Sequence, residues 1–169
     1  MPVNKSPFVK NLITGSTEPL RMLGKFQAGA TQAVKRGELL ELSGGNFIPL
    51  ATDKAMSAVV AVADEEIKNG DKAGYYNILV PRPGDVFEFA LSAAANPSVG
   101  ANVAVSDSQT VTTTVTNQLG DVVGQEHYPD RQGHASDDAS GDAGTTIRNT
   151  SNVLVTIKES TSYYAALQA

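Results

Sequence analysis

Residues 37–50 read GELLELSGGNFIPL, and this stretch decides the fold class. An apolar run at 38–42 (ELLEL) meets the turn Ser43-Gly44-Gly45-Asn46, and a second apolar run follows at 47–50 (FIPL). Two adjacent glycines supply the positive φ that a tight hairpin needs. The reading is therefore strand, turn, strand. Working outward, short apolar segments bounded by Gly, Asn, Asp or Pro recur along the chain, which is the pattern of a barrel or sandwich. They fall at 57–63 (SAVVAVA), 76–80 (YNILV), 86–91 (VFEFAL), 103–106, 111–115, 122–124 and 153–157 (VLVTI). In VFEFAL, Phe87, Phe89 and Leu91 share one face. The polar stretch 64–74 holds at most one helical turn, ended by Asn69-Gly70, and no longer segment has a helical period. The expectation is an all-β protein with helix as a minor component.

A shift of 63 residues lays Gly37-Glu38-Leu39-Leu40-Glu41-Leu42-Ser43 over Gly100-Ala101-Asn102-Val103-Ala104-Val105-Ser106. The apolar positions Leu40, Leu42 and Ile48 then meet Val103, Val105 and Val111, and Val59-Val60 meets Val122-Val123. Each unit would be a hairpin plus a returning strand, and together they suggest a pseudo-symmetric barrel of two similar halves.

Two regions stand apart. Residues 1–36, with Pro2, Pro7, Pro19, Gly15, Gly24 and Gly29, read as an extended N-terminal arm that adds a strand to the body or to a neighbour. Residues 129–152 form a long acidic loop rich in Gly, Ser, Asp and Asn, within a barrel domain at 37–158. Residues 159–169 are a C-terminal tail. The arm holds Lys5, Lys10, Arg21, Lys25, Lys35 and Arg36 against Glu18, a net of +5; the rest of the chain holds 7 basic and 17 acidic side chains, a net of −10. Such asymmetry marks a segment that meets an oppositely charged partner. An acidic body repels phosphates, so nucleic acid is a poor candidate.

At 169 residues, 41% hydrophobic and 18% charged, the chain fits one domain with a core and is too weakly charged to be a disordered polyelectrolyte. It has no cysteine, hence neither a disulfide framework nor a thiolate metal site. No apolar run approaches a bilayer span, and MPVNKSPFVK lacks the apolar region of a signal peptide, so no Sec export is expected.

Candidate chemistry is sparse. His127 and His134 lie in or beside the long loop, where Ser136 with Asp137 or Asp138 would complete a triad only on paper: no Gly-x-Ser-x-Gly elbow exists. Asp130, Asp137, Asp138 and Asp142 lack the spacing of an EF-hand. Glu65-Glu66 is a solvated turn rather than a pair facing across a cleft. The expectation is a protein that is not an enzyme and takes no cofactor or metal. Phe87 and Phe89 read as core; Tyr163 and Tyr164, near the C-terminus, read as an inter-subunit contact.

The ordered series VKRGELLELSGGNFIPLA (34–51), SAVVAVADEEI (57–67), GD (70–71), LVPRPGDVFEFAL (79–91), VGANVAVSDSQTVTT (99–113), DVVGQE (121–126) and VLVTI (153–157) resembles the tailed-phage capsid cement, or decoration, proteins. The resemblance implies a small, tulip-like β-barrel without a catalytic site, commonly a homotrimer on the outer face of an expanded capsid. There it would bridge neighbouring major capsid subunits and stabilise the head. The implied partners are the major capsid protein and further copies of the chain, with no direct nucleic acid or membrane contact. The implied location is the outer surface of the virion, after synthesis in the host cytoplasm. The long loop and the substantial arm depart from the smallest members of that family. The candidate contact residues are Lys5, Phe8, Lys10, Leu12, Ile13, Arg21 and Lys25 in the arm, with Tyr163 and Tyr164. A head-fibre or tail-associated module that binds a glycan is the alternative use of the same scaffold.

Overall fold

The computed structural model describes residues 6–27, 33–50, 60–115, 117–125 and 150–168. Its strands are β1 (Phe8–Asn11), β2 (Arg21–Phe26), β3 (Leu39–Ser43), β4 (Asn46–Pro49), β5 (Val60–Ala63), β6 (Gly74–Leu79), β7 (Asp85–Ala95), β8 (Asn102–Val105), β9 (Thr110–Thr112), β10 (Gly120–Gln125) and β11 (Thr150–Ile157). A 3-10 turn (Glu159–Thr161) and the short helix α1 (Tyr163–Gln168) follow. The all-β expectation holds. The acidic loop falls outside the described residues, except for its final residues in β11.

One sheet runs β1-β7-β11-β10-β8-β9, and a parallel pairing of β7 with β9 closes the last five of these strands into a barrel. Phe87, Phe89, Leu91, Val103, Val105, Val111, Val122, Val153 and Val155 lie in one buried cluster, as the alternation along each strand requires. The other sheet runs β2-β6-β5-β3-β4. Leu40, Ala61, Ala63, Ile78, Phe26 and Phe47 form its own cluster.

The two sheets have the same plan. Replacing β2, β3, β4, β5 and β6 by β7, β8, β9, β10 and β11 turns one strand order into the other. The registers give the residue equivalences. Leu40 and Leu42 match Val103 and Val105, Phe47 matches Val111, Ala61 and Ala63 match Gly120 and Val122, and Gly24 matches Phe89. Backbone bonds repeat as well: Gly37 N–H to Ala63 O (2.8 Å) and Gly100 N–H to Val122 O (2.8 Å), Glu38 N–H to Lys35 O (3.1 Å) and Ala101 N–H to Ser98 O (3.0 Å). The duplication read in the sequence is thus present, with three corrections. Phe47, not Ile48, takes the place of Val111. The units are two five-stranded sheets rather than halves of one barrel. Moreover, the return strand aligns Ala61 and Ala63 with Gly120 and Val122, so Val60 does not meet Val123, while Val59 lies outside the described residues: Phe47 to Ala61 spans 14 residues where Val111 to Gly120 spans 9.

The first unit closes differently. Its β2 and β4 stand where β7 and β9 do, but they meet through the rings of Phe26 and Phe47, 6.1 Å apart, with Gly24 beneath Phe47. The stretch read as an arm therefore carries two sheet strands: β1 extends the barrel along β7, and β2 is integral to the first unit. Residues 64–74 contain no described helix and are held by reciprocal bonds between Val34 and Ile67 (2.9 and 2.8 Å).

Gly120 sits where β10 crosses β11, and a Cβ there would run into the Thr156 carbonyl oxygen, while Val155 Cγ1 lies 3.0 Å away. Backbone cannot yield as a side chain can. Gly120→Ala should destabilise the fold by about 3 kcal/mol in urea denaturation, an overpacking cost. Gly44→Ala, with open space and φ of 56°, should cost only the left-handed backbone penalty of ~1–2 kcal/mol.

Candidate interaction surface

Three buried carboxylates organise the surface around the N-terminal strands. Asp64 closes β5 with its side chain 6% exposed, and it accepts from Arg21 Nε (2.8 Å) and Arg36 Nη2 (3.0 Å). Asp85 opens β7 with a fully buried side chain. It accepts from Arg82 Nε (3.0 Å), Arg82 Nη2 (3.1 Å), the Arg82 backbone N–H (2.9 Å) and Asn11 Nδ2 (2.8 Å). Glu38 joins the two units: it accepts from Lys35 N–H (2.8 Å), Ser108 Oγ (2.9 Å) and Gln109 Nε2 (3.0 Å), beside the bond from Leu39 N–H to Ser108 O. Charge-assisted bonds of this kind are stronger than neutral ones and fix direction.

These pairs change the meaning of the basic arm. Arg21 and Arg36 are spent on Asp64 within the chain, so they are not simply a positive surface awaiting a partner. Lys10 on β1 and Lys25 on β2 remain exposed. Lys5 lies outside the described residues. Phe8 packs edge-on against Phe87, with ring centroids 5.8 Å apart, and so serves the barrel. Leu12 and Ile13 follow β1 and are 52% and 72% exposed.

The tyrosines pack within the chain. Tyr163 stands edge-on to Phe47 at 5.1 Å, and both Tyr163 and Tyr164 pack against the core cluster of the first unit. The tail is pinned there because Ser162 Oγ donates to Pro81 O and the Ser162 backbone forms a β-bridge with Val60. Both rings are partly buried on the first unit.

Sequence reasoning missed Leu23 and Tyr75, both more than 60% exposed. The register sets Leu23 opposite Asn77 and Lys25 opposite Tyr75, so the four share one outer sheet face. The alternation in Arg21-Met22-Leu23-Gly24-Lys25-Phe26 was the available signal, once read as a strand. Among the described residues no group of His, Asp or Glu is placed to hold a metal ion, and no helix is long and apolar enough to cross a membrane. His127, His134 and the loop aspartates Asp130, Asp137, Asp138 and Asp142 lie outside the described residues.

Removing Asp64 leaves two guanidinium groups without their shared acceptor. Asp64→Asn should cost roughly 1–2 kcal/mol of stability, because the carboxylate is buried while Arg21 and Arg36 are 46% and 30% exposed. Glu18→Gln should cost less than about 0.5 kcal/mol, because Glu18 is 83% exposed and 3.7 Å from Arg21. Urea titrations of the two variants beside the parent chain check both values.

No family model, no curated protein and no solved structure matches this chain.

Proposed function

We propose that the chain is a cement subunit of a tailed-phage capsid, bound to the outer face of the expanded shell, where it bridges neighbouring major capsid subunits as a homotrimer. The observation that carries this reading is the ordered motif series, which runs through 34–157 without a break in order. Its segments fall on the repeated architecture: GELLELSGGNFIPL spans the β3–β4 hairpin, LVPRPGDVFEFAL joins β6 to β7, and VGANVAVSDSQTVTT spans the β8–β9 hairpin. On this reading the protein has no reaction to catalyse and takes no cofactor. It touches neither nucleic acid nor membrane, and it reaches the virion surface from the host cytoplasm.

The physics asks little of each contact. Weak interfaces repeated over a symmetric lattice act by multivalency. Binding that prefers the expanded shell stabilises that state by mass action. A rigid body with a tightly bonded edge suits such a bridge better than a mobile one, since less freedom is lost on docking.

Quantitative mass spectrometry of purified virions tests the proposal. Abundance comparable to that of the major capsid protein, with release that leaves the shell intact, is the expected result. A handful of copies per particle would favour the head-fibre or tail-associated module, and complete absence from virions would end the reading.

A further inference from the structure

Asn69-Gly70 is the one Asn-Gly step in the chain, and the fold presents it on an exposed turn between β5 and β6. Asp71 N–H donates to Lys68 O (3.0 Å) and Lys68 N–H donates to Asp71 Oδ2 (2.7 Å), so the two flanking residues clasp each other. Gly70 has a φ of 89°, the left-handed value that the third position of such a turn requires. A Cβ built on Gly70 would meet nothing within 4 Å. Among the described residues no hydrogen bond engages the Asn69 carboxamide or the Gly70 N–H. The flanks are fixed and the pair between them is free.

Asparagine is a thermolabile side chain, and a following glycine, with no side chain of its own, leaves its nitrogen open to attack. The other described asparagines are worse placed. Asn11 is 3% exposed, and its carboxamide donates to Pro83 O (2.9 Å) and accepts from Ile13 and Thr14 (2.9 and 2.8 Å). Asn96 precedes Pro97, which has no N–H to lose. Asn46, Asn77, Asn102, Asn117 and Asn152 each precede a residue whose side chain crowds the amide nitrogen.

We propose that Asn69 is a spontaneous modification site, converted to aspartyl and isoaspartyl forms by its own backbone. The Gly70 nitrogen loses its proton to solvent base and attacks Asn69 Cγ. A C–N bond forms, the bond from Cγ to Nδ2 breaks, and ammonia leaves. The product is a cyclic imide, which water then opens in one of two ways. Cleavage between Cγ and the Gly70 nitrogen leaves aspartate. Cleavage between the Asn69 backbone carbonyl carbon and that nitrogen leaves an isoaspartyl link, in which the main chain runs through the side chain. Either route replaces ammonia by water and adds one negative charge to the net of −5, with no oxidant, metal or cofactor. The fold accommodates both products, because the Lys68–Asp71 clasp and the paired bonds between Val34 and Ile67 (2.9 and 2.8 Å) hold the base of the turn. The inference stands apart from the capsid reading and holds or fails without it.

The test is to age the full-length protein at mildly alkaline pH and follow it by isoelectric focusing and by peptide mapping with isoaspartyl detection. The parent should shift by one negative charge per chain, with both products at residue 69. The shift should be faster at higher pH, because the attacking nitrogen must lose its proton. Asn69→Gln should lack the product on the same timescale, since its longer side chain must close a larger ring. A parallel sample in guanidinium chloride, mapped the same way, gives the rate for the unfolded chain. Conversion of the folded parent at a comparable rate is the expected result. If Asn69 stays intact in the folded protein while the unfolded sample converts, the turn protects the bond and the proposal is overturned. Equal conversion at the other described asparagines overturns it as well. Thermal melts of aged and fresh protein should coincide, and a lower midpoint after ageing would overturn the claim that the fold accommodates the products.

Discussion

The parallel pairing of Ala90 and Leu91 with Thr110 and Val111 is the constraint on which the rest of the molecule hangs. It joins the two ends of a five-stranded sheet, so every inward side chain of that sheet faces another across a closed interior. Closure removes the barrel edge that would otherwise recruit another chain. It also explains the length of β7, which runs from Asp85 to Ala95. The C-terminal half of β7 closes the ring on β9, and its N-terminal half, on the same edge, accepts β1. Asp85 opens this strand and is bonded by Asn11 and Arg82, so the attachment of the N-terminal strand is built into the closure itself.

Duplication of one plan raises the question of why the units do not stack indefinitely. Leu39, Val62 and Leu79 lie on the outer side of the first unit and are fully buried in a cluster shared with the barrel interior. Their register equivalents in the second unit are Asn102, Asp121 and Thr156. An apolar face that recurred on both units would make a heterologous contact with no closing element, the geometry that leads to fibres. Polar residues at the equivalent positions let the unit contact form once. Glu38, bonded to Ser108 and Gln109, adds direction to the same junction.

The body was legible because strand burial has period two and the turns carry their own chemistry. Phe87, Phe89 and Leu91 stand inward as their spacing demanded, and the two hairpins fall where Gly and Asp punctuate the chain. What escaped was long-range. Nothing local in residues 8–26 states that Phe8 will stand against Phe87 or that Gly24 must make room for Phe47, because each depends on a partner distant in the chain. The packing of the α1 tyrosines was hidden for the same reason: a short terminal segment looks exposed until its apolar partner, here Phe47, is known. The candidate surface was half legible. Leu12 and Ile13 were singled out, but the bonds that immobilise them come from Asn11, Gly84 and Asp85, and no pattern in the sequence joins those positions.

Charge shows the same dependence on tertiary context. A net of +5 over residues 1–36 suggests an electrostatic tether. In the folded chain Asp64 draws Arg21 and Arg36 together, and such bonds hold a strand in register more than they reach outward. An exposed lysine contributes modestly and is screened by salt. Apolar burial at a rigid point is hardly screened, and it gains from having no loop to order.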